Sequence, residues 1–272
     1  PTCGAVFTAV LDPSKAIFVP RGVGNAYQTL EAGTVYAYLV NDHWSPDAAY
    51  SFLNLADATV GIDWPIPLDG AELSEKDRTH PQLEDVIPIP PLKILVTGAD
   101  GQVGRALRAV YGESAHVEYT TRSTLDLANP GLATARRWRD YGVIINAAAY
   151  TAVDAAEAPS GRSLAWQVNA HGPAQLSRIA AEHGITLVHV SSDYVFDGSA
   201  DVPYLEGGSI SPLGVYGQSK AAGDFAVETT RRHYIVRTSW VVGDGANFVR
   251  TMKSLATRDI NPTVVDDQAG RL

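Results

Sequence analysis

The chain has 272 residues, 45% hydrophobic and 19% charged, which is enough apolar material for a folded protein of one and a half or two domains. A formal net charge of -9 opposes nonspecific attachment to nucleic acid or to an anionic membrane, so any phosphorylated ligand has to be held by local donors. Cys3 is the single cysteine, which excludes an intrachain disulfide and a cysteine-rich zinc site, and no apolar run approaches the ~18 residues that span a bilayer.

With no basic-then-apolar leader at its start, the sequence predicts a soluble, cytoplasmic protein. It opens at Pro1 without an initiator Met and stops at Leu272 within what reads as an element, so a fragment at both ends is expected. Residues 4–10, 16–20 and 35–40 are short β-branched and aromatic runs separated by Gly, Pro and Asp turns, a pattern of antiparallel β structure. Prolines at 88, 90 and 91 then mark an extended connector, residues 88–91, between a first domain over 1–87 and a second over 92–272.

After the connector the pattern changes to apolar strands alternating with longer helical segments, the signature of βαβ units in a doubly wound parallel sheet of the Rossmann kind. Strands are predicted over 93–97, 116–121, 142–146, 186–190 and 234–238. Helices are predicted from 104 to 111, 164 to 183 and 216 to 232.

The first of these strands runs directly into Gly98, Gly101 and Gly104 and then a helix. Glycines at such a turn let the backbone approach a pyrophosphate, whose charge meets the N–H groups and dipole at the helix start. The spacing G-x-x-G-x-x-G is that of short-chain dehydrogenases. Where the second strand ends, a carboxylate would favour NAD and a basic residue NADP. Arg122 stands there, either as a ligand for the 2'-phosphate or as a solvated surface arginine, with Asp126 and Leu127 following. Ala147, Ala148 and Ala149 close the third strand in small residues, suited to a close-lying cofactor or equally to helix packing.

Tyr216 and Lys220 are four apart and so share one face of a helix. A free phenol titrates near ~10, and a neighbouring cation makes it a usable proton donor or acceptor near neutrality. Tyr-x-x-x-Lys by itself is a common structural coincidence. It gains force from Ser191, Ser192 and Asp193 at the end of the fourth strand, where open α/β sheets bind ligands and a hydroxyl can orient a carbonyl. His189 reads as a buried strand residue rather than a base, and no metal-ligand cluster is visible.

Several segments together carry a family resemblance: residues 97–104, 146–154, 191–198, 211–220, 237–241 and 264–268. On these, residues 92–272 resemble the dTDP-4-dehydrorhamnose reductases, extended short-chain dehydrogenases. The resemblance implies reduction by NADPH, with NADH also admitted, of the 4-keto group of dTDP-6-deoxy-L-lyxo-4-hexulose to dTDP-L-rhamnose. It implies that Tyr216 protonates the C4 alkoxide, that Lys220 lowers the phenol's pKa while holding the nicotinamide ribose, and that Ser192 replaces the family's usual Thr. Asp193 and Trp240 match substrate contacts. Gly101, Gln102, Val103, Asp126, Leu127 and Ala147 to Ala149 match cofactor contacts. Magnesium enters by resemblance alone, with no ligand set here. A homodimer is admitted without a residue that argues for it.

Residues 1 to about 75 resemble the C-terminal half of a dTDP-4-dehydrorhamnose 3,5-epimerase, a cupin-type β-barrel, through residues 19–27, 38–46 and 61–65. The resemblance makes Tyr38 that family's acid and Asp57 the partner of a histidine in the half this sequence lacks. No epimerase activity is therefore expected of the chain alone. Two other readings remain: another nucleotide-sugar epimerase or dehydratase using the same Tyr and Lys with tightly held NAD, and a noncatalytic NADP(H)-binding regulatory module.

Overall fold

The computed structural model describes residues 3–40, 50–245 and 247–264. The chain forms two compact units, Pro1–Pro91 and Leu92–Leu272.

Within the first unit, the described residues form no strand. The expected β runs are not paired into strands among the described residues, and Phe7, Phe18, Val35 and Leu39 are exposed. β-propensity expresses itself through cross-strand packing, and these runs have no neighbouring strand among the described residues to supply a ladder. Order comes instead from local polar anchors. Asn54 Nδ2 donates to the carbonyls of Arg78 and His80, Trp64 Nε1 donates to Leu55 O, and Phe52 stacks on His80 with centroids 4.8 Å apart. One short helix, α1 (Glu75–Arg78), is capped by the Ser74 hydroxyl, which accepts from Asp77 N.

The second unit is a five-stranded, wholly parallel sheet: β1 (Lys93–Thr97), β2 (Val117–Thr120), β3 (Tyr141–Asn146), β4 (Thr186–Ser192) and β5 (His233–Thr238), in the spatial order β2-β1-β3-β4-β5. Each expected strand is present within two residues of its predicted bounds. The connections are helical. α2 (Gln102–Tyr111) follows β1. β3 leads to α3 (Val153–Ala156), α4 (Pro159–Trp166) and α5 (Gly172–His183), and α6 (Val215–Glu228) joins β4 to β5. α7 (Phe248–Thr257), which the sequence reading did not anticipate, begins at Asn247, whose side chain accepts from Arg250 N.

Between β2 and β3 there is no helix of the α type, only the single 3₁₀ turns Leu132–Thr134 and Trp138–Asp140. The order is thus 2-1-3-4-5, in which the connections reverse direction between β1 and β3. One face of the sheet buries Leu95, Ile144 and Leu187, aligned across β1, β3 and β4, against Leu176, Ile179 and Val227 of α5 and α6. Leu127, Leu132 and Trp138 complete that core. Hydrophobic burial in this layer is the main force holding the strand ends in register.

The helical stretch expected from 164 to 183 is continuous but not uniform. α4 passes into one π-helical segment, Gln167–His171, before α5 begins. The wider turn puts Asn169 inward, where its amide spans two neighbours: Tyr150 N donates to Oδ1 at 2.8 Å, and Nδ2 donates to Tyr150 O and to Ser219 Oγ. That links the segment after β3 to α6.

Candidate active site

All the strands are parallel, so their C-terminal ends share one edge, and the residues singled out in the sequence gather there. Thr97 ends β1, Asn146 ends β3, Ser192 ends β4 and Thr238 ends β5. Thr97 pairs with Asn146 and Ser192 with Thr238. Ligands of such sheets bind outside this edge, at the point where the connections reverse.

At that point Gly98 turns the chain with a φ of 69°. A Cβ on Gly98 would come within 2.7 Å of the Ala148 backbone, and one on Gly104 would overlap the Gly98 carbonyl oxygen. Both glycines are therefore demanded by close backbone packing, which brings the turn after β1 against the alanines after β3. Gly101 is the N-cap of α2 and no side chain caps that helix start. A helix beginning of this kind, beside a floor of Ala147, Ala148 and Ala149, fits the pyrophosphate of a dinucleotide.

Arg122 lies exposed beyond β2, 3.9 Å from the Asp126 carboxylate, whose other oxygen accepts from Ala128 N. Leu127, by contrast, has its side chain in the core, where it touches Gly172, and only its carbonyl engages a polar partner, Gln175 Nε2 at 2.9 Å. Any contact of Leu127 with a ligand would be through backbone.

On the other side of the edge, Ser192 Oγ accepts from Tyr194 N and donates to Asp193 Oδ1 at 3.1 Å. Asp193 Oδ2 accepts from Ser239 Oγ at 2.7 Å, tying the end of β4 to the end of β5. Trp240 follows directly and is partly exposed. Tyr216 is the second residue of α6. Gly217 lets that helix approach the Tyr194 carbonyl, closer than any side chain would allow, and Tyr194 meets the Tyr216 ring edge-on at 5.5 Å. Burial pushes the Tyr216 phenol above its ordinary range, with the Ser192 hydroxyl acting in the opposite sense and the Asp193 charge adding to the rise.

Lys220, one turn further along, is only 1% exposed. Its Nζ donates to Val190 O at 2.7 Å and lies 3.5 Å from His189 Nε2. Desolvation pushes the amine down to about 8, against the pull of the Asp224 carboxylate. The sequence leads one to expect the ammonium beside the phenol. Its hydrogen bonds run instead to β4, and the causes that shift Tyr216 do not include it.

Three residues that the sequence reading left without a role hold this arrangement. Glu157, just after α3, accepts from Val215 N at 2.8 Å and so caps the start of α6 from a distance in sequence of 58 residues. Asn169 reaches Ser219, and Asp224 is fully buried against Arg237, whose Nε donates to Oδ2 at 3.1 Å. Only Asp224 left a trace in the sequence, standing four residues after Lys220 on the same helix face.

In the first unit, Tyr38 is exposed, its ring tilted against Tyr36, and Asp57 is buried. The Asp57 carboxylate accepts from the backbone N–H groups of Thr59, Val60 and Leu83, which hold it below the usual carboxylate range. In this chain Asp57 thus acts as a loop anchor. The rest of the expected motif at 41–46, and positions 265–268, lie outside the described residues. Among the described residues no group of three or more His, Cys, Asp or Glu side chains is placed to hold a metal ion, and no helix is long and apolar enough to cross a membrane.

Fold and strand-end site together define a doubly wound α/β domain of the dinucleotide-binding class. Residues 92–271 match the protein family described as RmlD substrate binding domain, and the chain belongs to that family. Residues 1–85 match the family described as dTDP-4-dehydrorhamnose 3,5-epimerase. Among curated proteins, the dTDP-4-dehydrorhamnose reductase of Sinorhizobium fredii is 40% identical over 66% of this chain and 61% of its own length. That of Escherichia coli is 41% identical over 66% and 62%. A dTDP-4-dehydrorhamnose reductase structure from Clostridium acetobutylicum superposes with a TM-score of 0.58 at 39% identity, over 61% of this chain and 60% of that one. One from Bacillus anthracis, in complex with NADP, gives 0.57 at 34% identity, over 62% and 61%. The chain thus spans about three-fifths of the length of the curated relatives it matches.

Proposed function

We propose that residues 92–272 carry the nicotinamide-dependent reduction of the 4-keto group of dTDP-6-deoxy-L-lyxo-4-hexulose, giving dTDP-L-rhamnose, with NADPH as the reductant. The observation that carries the reading is the buried Tyr216–Lys220 pair beside the Ser192 and Asp193 strand end, across the edge from the glycine turn, in a chain about 40% identical to reductases of this name.

When bound, the reduced nicotinamide supplies the hydride that goes to C4. Gly98, Gly101, Gln102, Val103 and Gly104 would hold the pyrophosphate. Arg122 would meet the 2'-phosphate, with Asp126 and the backbone of Leu127 on the adenosine side and Ala147 to Ala149 beneath. Ser192 would hydrogen-bond the substrate's carbonyl oxygen and fix its orientation. The raised phenol of Tyr216 keeps its proton at neutral pH and delivers it to the C4 oxygen as negative charge develops there. Lys220 has three donors and gives one to Val190 O, leaving two for ribose hydroxyls. Asp193 and Trp240 would contact the sugar. A cytoplasmic setting suits this chemistry. The first unit, with its β runs unpaired, is expected to add no epimerase turnover by itself.

The test mixes the chain with NADPH and enzymatically generated keto sugar and follows loss of the reduced-nicotinamide absorbance. Oxidation that requires the sugar and falls by on the order of 10² to 10⁴-fold in Tyr216→Phe, with NADPH binding retained, is the expected result. NADPH binding without oxidation in the unsubstituted chain would overturn the catalytic reading in favour of a cofactor-binding module.

A further inference from the structure

For the proposed reduction the proton donor and the hydride donor must stand at a fixed separation, and a misplacement of about 1 Å can lower a rate on the order of 10²-fold. Tyr216 lies in the first turn of α6, where a helix has the fewest bonds of its own. The first bond of α6 runs from Gln218 N to Gly214 O, so the N–H groups of Val215, Tyr216 and Gly217 have no partner inside the helix. Gly214, the N-cap, has no side chain to serve them.

Glu157 supplies that cap from outside the helix. Its Oε1 accepts from Val215 N at 2.8 Å, which sets a carboxylate at the positive end of α6. Both sides of the contact are shaped to admit it. A Cβ on Gly214 would come within 2.9 Å of the same oxygen, and beyond its chain neighbours would meet nothing else within 4 Å among the described residues. Glu157 N donates to Asp154 O at the end of α3, and Gly161 lets α4 close on the Ala155 carbonyl, so the carboxylate stands on a packed mount. Ala156 and Ala165 of that mount share one buried cluster with Val215 and Tyr216, and Tyr150 and Val153 pack against it. The mount continues the chain beyond Ala147 to Ala149, the proposed cofactor floor.

We propose that Glu157 is a positioning residue for the proton donor: by holding Val215 N–H it fixes the first turn of α6, and with it Tyr216, relative to the cofactor floor. Its action runs through the helix. This rests on the reading of Tyr216 as the group that protonates the substrate.

The test compares Glu157→Ala, Glu157→Gln and Gly214→Ala in the full chain. Glutamine keeps an oxygen able to accept from Val215 N and removes the charge, whereas alanine at 214 keeps the charge and drives the oxygen away. With keto sugar and NADPH, kcat should fall about 10- to 100-fold in both alanine variants and stay within about threefold in Glu157→Gln, with NADPH affinity within about threefold throughout. The double variant Glu157→Ala/Gly214→Ala should be no slower than Glu157→Ala alone, because the added Cβ has lost the oxygen it would meet. A change under about threefold in Glu157→Ala, an equal loss in Glu157→Gln, NADPH affinity falling in step with kcat, or additive losses in the double variant would each overturn the proposal. A second readout needs no substrate: the Tyr216 phenol, titrated by NMR through ¹³C at tyrosine Cζ and assigned by its loss in Tyr216→Phe. Burial raises this phenol, and Ser192, Asp193 and Tyr194 are the polar groups acting on it. Its midpoint should drop toward the ordinary range by about half a pH unit or more in the alanine variants and hold in Glu157→Gln. An unmoved midpoint in either alanine variant overturns the placement even in a chain that reduces no sugar, whereas absence of sugar reduction in the unsubstituted chain sinks only the reductase reading.

Discussion

At the scale of single residues, burial governs Lys220. An ordinary lysine titrates near ~10.4, whereas here the amine is pushed down to about 8. Folding therefore releases a proton between those values, and the lysine's contribution to stability is least favourable below pH 8 and improves as the pH rises through the window. The catalytic consequence has the opposite sign: the ammonium that would hold the ribose is present below about 8 and lost above it. Accordingly kcat/KM for NADPH, which reports the cofactor-free chain, should fall as pH rises through 8, approaching about tenfold per pH unit. A flat profile to pH 9.5 would show that the amine keeps its proton. Tyr216 and Lys220 stand out in the sequence because the proposed chemistry needs their spacing. The direction of the Lys220 amine does not, since it depends on Val190 and His189, which reach it only through the sheet.

At the scale of elements, the five strands and the helices between them followed from apolar periodicity, and the glycine turn followed from its place between strand and helix. Periodicity could not show that the helical stretch over 159–183 contains a π segment, because apolar spacing barely changes across five residues. Nor could it show the cap that Glu157 places on α6, a contact made across 58 residues. The unpaired runs of the first unit mark the opposite limit: β-rich composition records a tendency, and pairing needs a neighbour. Asn169 tests the role of the π segment. Replacing it with Ala removes hydrogen bonds to Tyr150 N, Tyr150 O and Ser219 Oγ and leaves a partly buried backbone donor without its partner. A loss of about 2 to 4 kcal/mol in denaturant unfolding is expected. A change under about 0.5 kcal/mol, the range of ordinary surface substitutions, would mean that the segment does not hold α6 in place.

At the scale of the molecule, the two units differ in how their backbone groups are paired. β1, β3 and β4 are hydrogen-bonded on both sides and lie under α5 and α6, whereas residues 3–40 form no ladder and expose large apolar side chains. Hydrogen exchange should reflect this, with amides of 3–40 exchanging early and those of β1, β3 and β4 last. Comparable protection in both would contradict the unpaired description of the first unit. The family match covers the second unit, while the chain spans only three-fifths of its curated relatives, so the decisive question is whether these residues complete the reaction. The most direct measurement supplies the keto sugar with NADPH deuterated at the nicotinamide C4 and examines the product by mass spectrometry and NMR. One deuterium at C4 of a dTDP-6-deoxyhexose, matched by an equal amount of NADP⁺, is the predicted result. Unchanged keto sugar, or a product formed without net oxidation of NADPH, would contradict the assignment.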